Sequence, residues 1–186
     1  MFDRRRFVLS LPVLGAASTA HAAAPALTSP ECAVFTRERQ HETTPDAALR
    51  LLAEGNERFV TGRTINCDLR AQVRATASGQ APFAAIVGCI DSRVPPELVF
   101  DQRLGDVFSA RIAGNFVNDD ILGSLEFATK LSGAKLVVVL GHSECGAIKG
   151  AVDGAKLGHL TAMLRNFAPA IKSVHATGEA NSKNKA

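Results

Sequence analysis

Short apolar runs alternate with amphipathic stretches along this chain, and the alternation predicts its elements. Phe83-Ala84-Ala85-Ile86-Val87 is an unbroken apolar run between Pro82 and Gly88, the pattern of a strand buried on both faces. Leu136-Val137-Val138-Val139-Leu140 is the clearest strand, and 107–112 is a further candidate. Ile121, Leu122, Leu125, Ala128 and Leu131 recur at helical spacing over 120–131, and Gly133 closes that stripe. Upstream, Thr44-Pro45-Asp46 supplies an N-cap, a first-turn proline and an acid at the positive end of the helix dipole. They predict a helix over 47–59 that carries Leu49, Leu52 and Phe59 and ends near Gly62. Another helix is expected to begin around Ser143, and a last one near 157–175. Residues 63–80 are polar with little pattern. Residues 23–43, Ala/Pro-rich and then of mixed charge, read as an extended arm. Strands alternating with helices predict an α/β fold, a central mostly parallel sheet flanked by helices.

Composition narrows the class. The chain has 186 residues, 46% hydrophobic and 21% charged, enough for one domain with a real core. No apolar run reaches the roughly 18–20 residues of a membrane span. The start differs from the rest. Arg4-Arg5-Arg6-Phe7-Val8-Leu9 leads into small and apolar residues and then Ala20-His21-Ala22, the layout of an export signal over 1–22. The arginine pair followed by x-Phe-Val-Leu resembles a bacterial twin-arginine signal, so the expected destination is the periplasm. The organisation is then a signal over 1–22, an arm over 23–43 and a domain over 44–186. The formal charge of +3 falls by two, to +1, when Arg4, Arg5, Arg6 and Asp3 leave with the signal. That leaves no basic footprint for nucleic acid, and with no Trp or Tyr there is little to stack on a base.

Two short motifs carry the chemistry. Cys89-Ile90-Asp91-Ser92-Arg93 follows one predicted strand, and His142-Ser143-Glu144-Cys145 follows another. Sites in parallel sheets form at the carboxyl ends of strands, so two thiols and an imidazole converge at one sheet edge. Thiolate and imidazole suit zinc, and three protein ligands leave the fourth position open, as in catalytic sites. The His-x-x-Cys spacing puts both donors on one side of a helix's first turn. Asp91 falls on the same side of an extended segment as Cys89, and Arg93 keeps it ionised. Such an Asp either accepts a hydrogen bond from a zinc-bound hydroxide or fills the fourth zinc position itself. Two thiolates neutralise Zn²⁺ and make its water less acidic, so an oriented acceptor matters more.

Plainer readings exist for each piece. A lone Cys or His after a strand is usually packing, Cys89 and Cys145 could pair as a disulfide, and Asp91–Arg93 could merely brace a loop. The combination at two strand ends favours the metal. A thiol redox role fits poorly, because Cys89 and Cys145 are far apart and no Cys-x-x-Cys occurs. Cys32 and Cys67 match no ligand position; they either form a disulfide tying the arm to the domain or remain free thiols.

Cys-x-Asp-x-Arg followed about fifty residues later by His-x-x-Cys-Gly resembles the β-class carbonic anhydrases. Ala-Ser-Gly-Gln-Ala-Pro, Val-Phe-Ser-Ala-Arg-Ile-Ala-Gly-Asn and Gly-His-Ser-Glu-Cys-Gly-Ala-Ile-Lys-Gly look like further signatures, and the likeness covers roughly 45–165. The resemblance implies that Cys89, His142 and Cys145 bind zinc and that Asp91 and Arg93 position the zinc-bound hydroxide. It implies that Gln80 binds substrate across a dimer interface and that the Gly146 N–H faces bicarbonate. Phe108 and Phe127 match positions lining the apolar CO₂ pocket, although from sequence alone either Phe is better read as core packing. The implied reaction is reversible hydration of CO₂ to bicarbonate and a proton in a homodimer or higher homo-oligomer. His159 or His175 could shuttle the proton, but each reads better as a surface histidine. Members that close the site with the Asp carry a Trp/Tyr bicarbonate pocket; its absence here favours the open form. Family members continue beyond the helix near 157–175 with another helix, a fifth strand and a tail. This chain stops at Ala186, so its C-terminal part is expected to be short and a sheet edge to lack cover. Two other functions stay open: a related CS₂/COS hydrolase on the same scaffold, and a catalytically compromised zinc-binding remnant, against which the retention of Asp91, Arg93 and Gln80 argues.

Overall fold

Three parallel strands, β1 (Ala84–Gly88), β2 (Val107–Arg111) and β3 (Leu136–Leu140), stand in the order β2-β1-β3 at the centre of the computed structural model. The structure describes residues 30–174 and 181–184. The expected export signal and His175 lie outside the described residues. All five β1 residues are buried, as the apolar run predicts for a central strand covered on both faces. Alternate side chains serve two cores. Ala84 and Ile86 pack with Phe35, Ala48, Leu52, Phe83 and Val107, while Ala85 packs with Ala128 and Ala134. Gly88 pairs with Arg111 on one side and Leu140 on the other. The three carboxyl ends are therefore level, and the segments that follow them emerge together.

Helix α1 (Arg37–Glu42) corrects the extended reading of the arm, since the Thr36 side chain caps it at Arg39 N. Phe35 packs against Phe83 with ring centroids 4.9 Å apart, and the buried Gln40 donates to Pro82 O at 2.6 Å and Ser132 O at 2.8 Å. Cys32 and Cys67 form a disulfide. Helix α2 (Pro45–Val60) starts as predicted, with Thr44 Oγ1 accepting from Ala47 N. Of Leu49, Leu52 and Phe59, only Leu52 faces the core. Ala48, Leu52 and Gly55 are buried, whereas Leu49 and Phe59 are exposed. Gly55 permits the contact, because a Cβ there would stand 1.8 Å from Phe100 O.

The polar stretch 63–80 contains an unpredicted helix, α3 (Leu69–Thr76), capped by Asp68, whose Oδ1 accepts from Arg70 N and Ala71 N. Short α4 (Pro96–Val99) follows β1. Helix α5 (Asp119–Glu126) runs on into a π-helical turn, Phe127–Leu131, that ends at Gly133 in the left-handed region. Its apolar stripe is only partly covered: Ala128 is buried and Ile121 and Leu125 half-buried, but Leu122 and Leu131 are exposed, as are the neighbouring Phe127 and Val137 and Val139 on β3. Helix α6 (Gly146–Val152) begins three residues after the expected Ser143, with Cys145 as its N-cap. The helix expected near 157–175 is two short ones, α7 (Gly158–Leu164) and α8 (Ala168–Ser173), joined by a 3₁₀ turn, with Pro169 in the first turn of α8. Among the described residues, no helix is long and apolar enough to cross a membrane.

Candidate metal centre

Cys89 lies immediately beyond β1, and His142 and Cys145 lie in the turn between β3 and α6. One ligand atom from each falls within 4.8 Å of the others. The two sulfurs are 3.9 Å apart, buried and not joined by a disulfide. The expected disposition of His142 and Cys145 on one helical turn needs correcting. His142 precedes the helix, and Glu144, at φ 60° in the left-handed region, turns the chain between them. A salt bridge from Lys149 on α6 to Glu144 braces that turn.

The protein leaves this cluster with unmet bonding capacity. His142 Nδ1 lies 2.8 Å from Ser143 O, so it carries the proton and donates. The lone pair is then on Nε2, which is buried and has no hydrogen-bond partner among the described residues. A buried polar atom left unpartnered is costly, and a metal ion satisfies it. Two soft sulfurs and one imidazole nitrogen are a zinc donor set. The electrostatics prepare the ligands. Burial resists ionisation of the Cys89 thiol, but the Gly114 N–H at 3.2 Å, His142, the backbone at Asp91 and Cys145 together bring its pKa down to about 7. Cys89 beside it raises the His142 pKa against the opposing effect of burial. Thiolate is the form that binds metal.

Asp91 stands at the edge of the cluster, its Oδ2 4.0 Å from His142 Nε2. Arg93 donates to both carboxylate oxygens, Nε to Oδ1 at 2.9 Å and Nη2 to Oδ2 at 2.8 Å, and its backbone N–H adds a third bond at 3.0 Å. These bonds hold the Asp91 carboxyl well below the usual carboxylate range, so it is an acceptor at any ordinary pH. The fork also fixes which way the oxygens face.

The other predicted residues divide into two groups. Gly146 opens α6 beside Cys145, where a backbone N–H has no acceptor inside the helix. Phe108 and Phe127 meet edge to face at 6.1 Å and line an open groove of about 640 Å³ with Ala85, Leu125 and Ala128. None of the three candidate ligands lines that groove. Gln80 is not brought to the cluster. It is exposed ahead of β1, at the end of the strand opposite Cys89, a separation of about 16 Å along five strand residues alone. His159 is exposed on α7.

Sequence reasoning missed two supports. Gly114 supplies the N–H to Cys89. Arg111, opposite Gly88 on β2, donates from Nε to Cys89 O at 2.8 Å and from Nη2 to Asp91 O at 2.6 Å. Both belong to the Val-Phe-Ser-Ala-Arg-Ile-Ala-Gly-Asn stretch, but only the strand register reveals what they touch.

Comparison with known proteins agrees with this geometry. The family model for carbonic anhydrase matches residues 84–186. Carbonic anhydrase 2 of Mycobacterium tuberculosis is 47% identical over 119 residues, 63% of this chain and 58% of that protein. The chain thus spans little more than half the length of that relative. The Coccomyxa β-carbonic anhydrase, solved in complex with acetazolamide, superposes with a TM-score of 0.54 at 25% identity, over 73% of this chain and 64% of that one. The β-carbonic anhydrase CcaA superposes with a TM-score of 0.52 at 27% identity, over 73% and 75%. The chain belongs to the carbonic anhydrase family, and its fold is that of the β class.

Proposed function

We propose that this protein catalyses the reversible hydration of CO₂ to bicarbonate and a proton, with zinc held by Cys89, His142 and Cys145. The observation that carries the reading is the orphaned His142 Nε2 beside two buried thiols, with the Asp91 carboxylate 4.0 Å away. Zinc supplies the Lewis acidity that makes water nucleophilic near neutral pH. Asp91 Oδ2 would accept a hydrogen bond from the attacking oxygen's proton and orient that group, and the Arg93 fork keeps the carboxylate ionised and in place. The groove of Phe108 and Phe127 holds none of this chain's candidate ligands, so its apolar surface would serve CO₂ at the site of a second copy, and the Gly146 N–H offers a donor to the anionic product.

The reading extends to assembly and location. The distance of Gln80 from its own cluster supports its serving the site of a second copy. The exposed Leu122, Phe127, Leu131, Val137 and Val139 support burial against one. A periplasmic destination by the twin-arginine route is supported by the Arg4–Arg5 start and by the Cys32–Cys67 disulfide, which suits an oxidising compartment.

Stopped-flow CO₂ hydration on the purified chain, with metal content and light-scattering mass on the same sample, tests the proposal. It expects about one zinc per chain, a mass of at least a dimer, and activity lost in Cys145→Ser. One zinc per chain with no hydration would sink the catalytic reading and favour the zinc-binding remnant. Cell fractionation with and without residues 1–22 tests the location.

A further inference from the structure

We propose that Arg111 is a positioning residue for Asp91, acting through the backbone rather than through the carboxylate. The inference rests on the proposed hydration site. The segment from Cys89 to Arg93 must do two things at once: aim a sulfur into the cluster and hold a carboxylate at its edge without letting it enter. The side-chain fork of Arg93 fixes the two oxygens relative to Arg93 itself. Arg93 belongs to the same loop, and its side chain is 62% exposed. It can move with that loop, so it cannot fix the carboxylate relative to the sheet.

Arg111 supplies that missing reference. It is the last residue of β2, paired in register with Gly88, the last residue of β1. Its side chain crosses back over Gly88, whose absent Cβ would lie 4.0 Å from Arg111 Cγ. The guanidinium then takes the carbonyls on either side of Ile90, Cys89 O at 2.8 Å and Asp91 O at 2.6 Å. Two bonds from one planar group set both the distance and the angle of the peptide units between them. The carbonyl of the ligand residue and that of the carboxylate residue are thereby tied to a strand rather than to a loop. The adjacent Ile112 N–H also donates to Gly88 O at 3.0 Å, so the anchor itself is part of the sheet.

The Asp91 carboxylate is close enough to His142 Nε2, at 4.0 Å, that a small shift of its backbone would carry it in among the candidate ligand atoms. Arg111 fixes where the carboxylate stops. Lysine has one ammonium and no fork, so it keeps the charge and loses the paired geometry.

The test uses the full chain with Arg111→Gln, Arg111→Lys and Asp91→Asn, loaded with cobalt for spectroscopy and with zinc for kinetics. In Arg111→Gln the thiolate-to-cobalt charge-transfer band keeps its intensity, because both sulfurs still bind. The ligand-field bands shift as the fourth position changes, and kcat falls at least about tenfold with KM little changed. Arg111→Lys recovers only part of both. In the Asp91→Asn background the further Arg111→Gln change has little effect, because the residue acts through Asp91. Unchanged ligand-field bands and kcat in Arg111→Gln would overturn the proposal. Loss of the charge-transfer band in both Arg111 variants would also overturn it, by making Arg111 a brace for the ligand alone. If Arg111→Gln does not fold by circular dichroism, Arg111→Lys decides: wild-type bands and kcat would reject the need for the fork. The cobalt spectra separate this proposal from the functional one, since they report the carboxylate's position even if the wild-type protein hydrates no CO₂.

Discussion

The backbone N–H of Gly114 donates to Cys89 Sγ at 3.2 Å, joining residues 25 positions apart. Gly114 has φ 83°, and a Cβ on it would lie 2.2 Å from Phe167 Cζ and 3.2 Å from Ala147 Cβ. Backbone conformation and space thus both demand glycine at the residue that supports the ligand. Gly114→Ala is expected to cost at least about 2 kcal/mol, from a left-handed φ and an overpacked contact. It should also weaken metal binding by roughly 10-fold or more, the scale of losing a ligand's hydrogen-bonding partner. Thermal unfolding and chelator competition measure the two. Adding Phe167→Ala should return part of the affinity by letting residue 114 settle; no recovery would mean that the φ strain alone displaces the N–H.

Asp91→Asn tests the carboxylate with its shape retained. The amide keeps one oxygen for Arg93 but loses the charge and one of the two fork bonds seen at 2.9 and 2.8 Å. None of the three ligand atoms is altered, so metal content should stay at the wild-type value. Catalysis should fall by about 10²-fold or more, the scale of removing a preorganised electrostatic contact. Full activity in this variant would remove Asp91 from the mechanism.

The parts of the protein legible in its sequence are those whose pattern is local. The run from Phe83 to Val87 reads as a doubly buried strand because it has no polar position, and the residues after two such runs had to share an edge. Helix α3 hid because only Ala71 and Gln72 of it are buried, which leaves no apolar period to detect; its one local cue was Asp68 as a cap. The spacing of Leu49, Phe59, Leu122 and Leu131 marks helices, and helices form there, with these four side chains exposed. Periodicity reports a face but not what covers it, and these side chains lie on surface that the described residues leave exposed. Arg111 and Gly114 depend on strand register and on a ring 53 positions away at Phe167, neither of which is written in a short motif.

The Cys32–Cys67 disulfide closes a loop of sequence separation 35. It pins the segment carrying Phe35 onto the Phe83 side of the core. The loop-entropy estimate for that span is about 4 kcal/mol, an upper figure for what removal costs. Cys32→Ser/Cys67→Ser should therefore unfold at markedly lower denaturant and lose the wild type's sensitivity to reductant. Thiol counting on the metal-stripped, denatured wild type should find two reactive cysteines, Cys89 and Cys145. Four would show that the bridge does not form.

Asp106 gives the fold a pH dependence remote from the metal centre. Its Oδ1 accepts from Phe35 N at 3.3 Å and its Oδ2 from Arg103 N at 3.1 Å. Burial is nevertheless the largest influence. It outweighs those two donors and the charges of Arg103 and Arg39, and pushes the pKa from 3.8 up to about 6. The folded state therefore holds this proton more tightly than the unfolded chain does. Its contribution is most favourable below about pH 4, declines as pH rises from 4 to 6, and is flat above. A shift of that size corresponds to about 3 kcal/mol across the window. Asp106→Asn cannot titrate, and its amide faces one of the two N–H donors, so it should be less stable than wild type at pH 4 by at least about 1 kcal/mol. The difference between the two proteins should then shrink or reverse by pH 7. Urea unfolding of both at pH 4, 5, 6 and 7 measures it. Parallel stability curves would mean that the carboxylate is ionised in the folded protein throughout, with the two N–H bonds and Arg103 prevailing over burial.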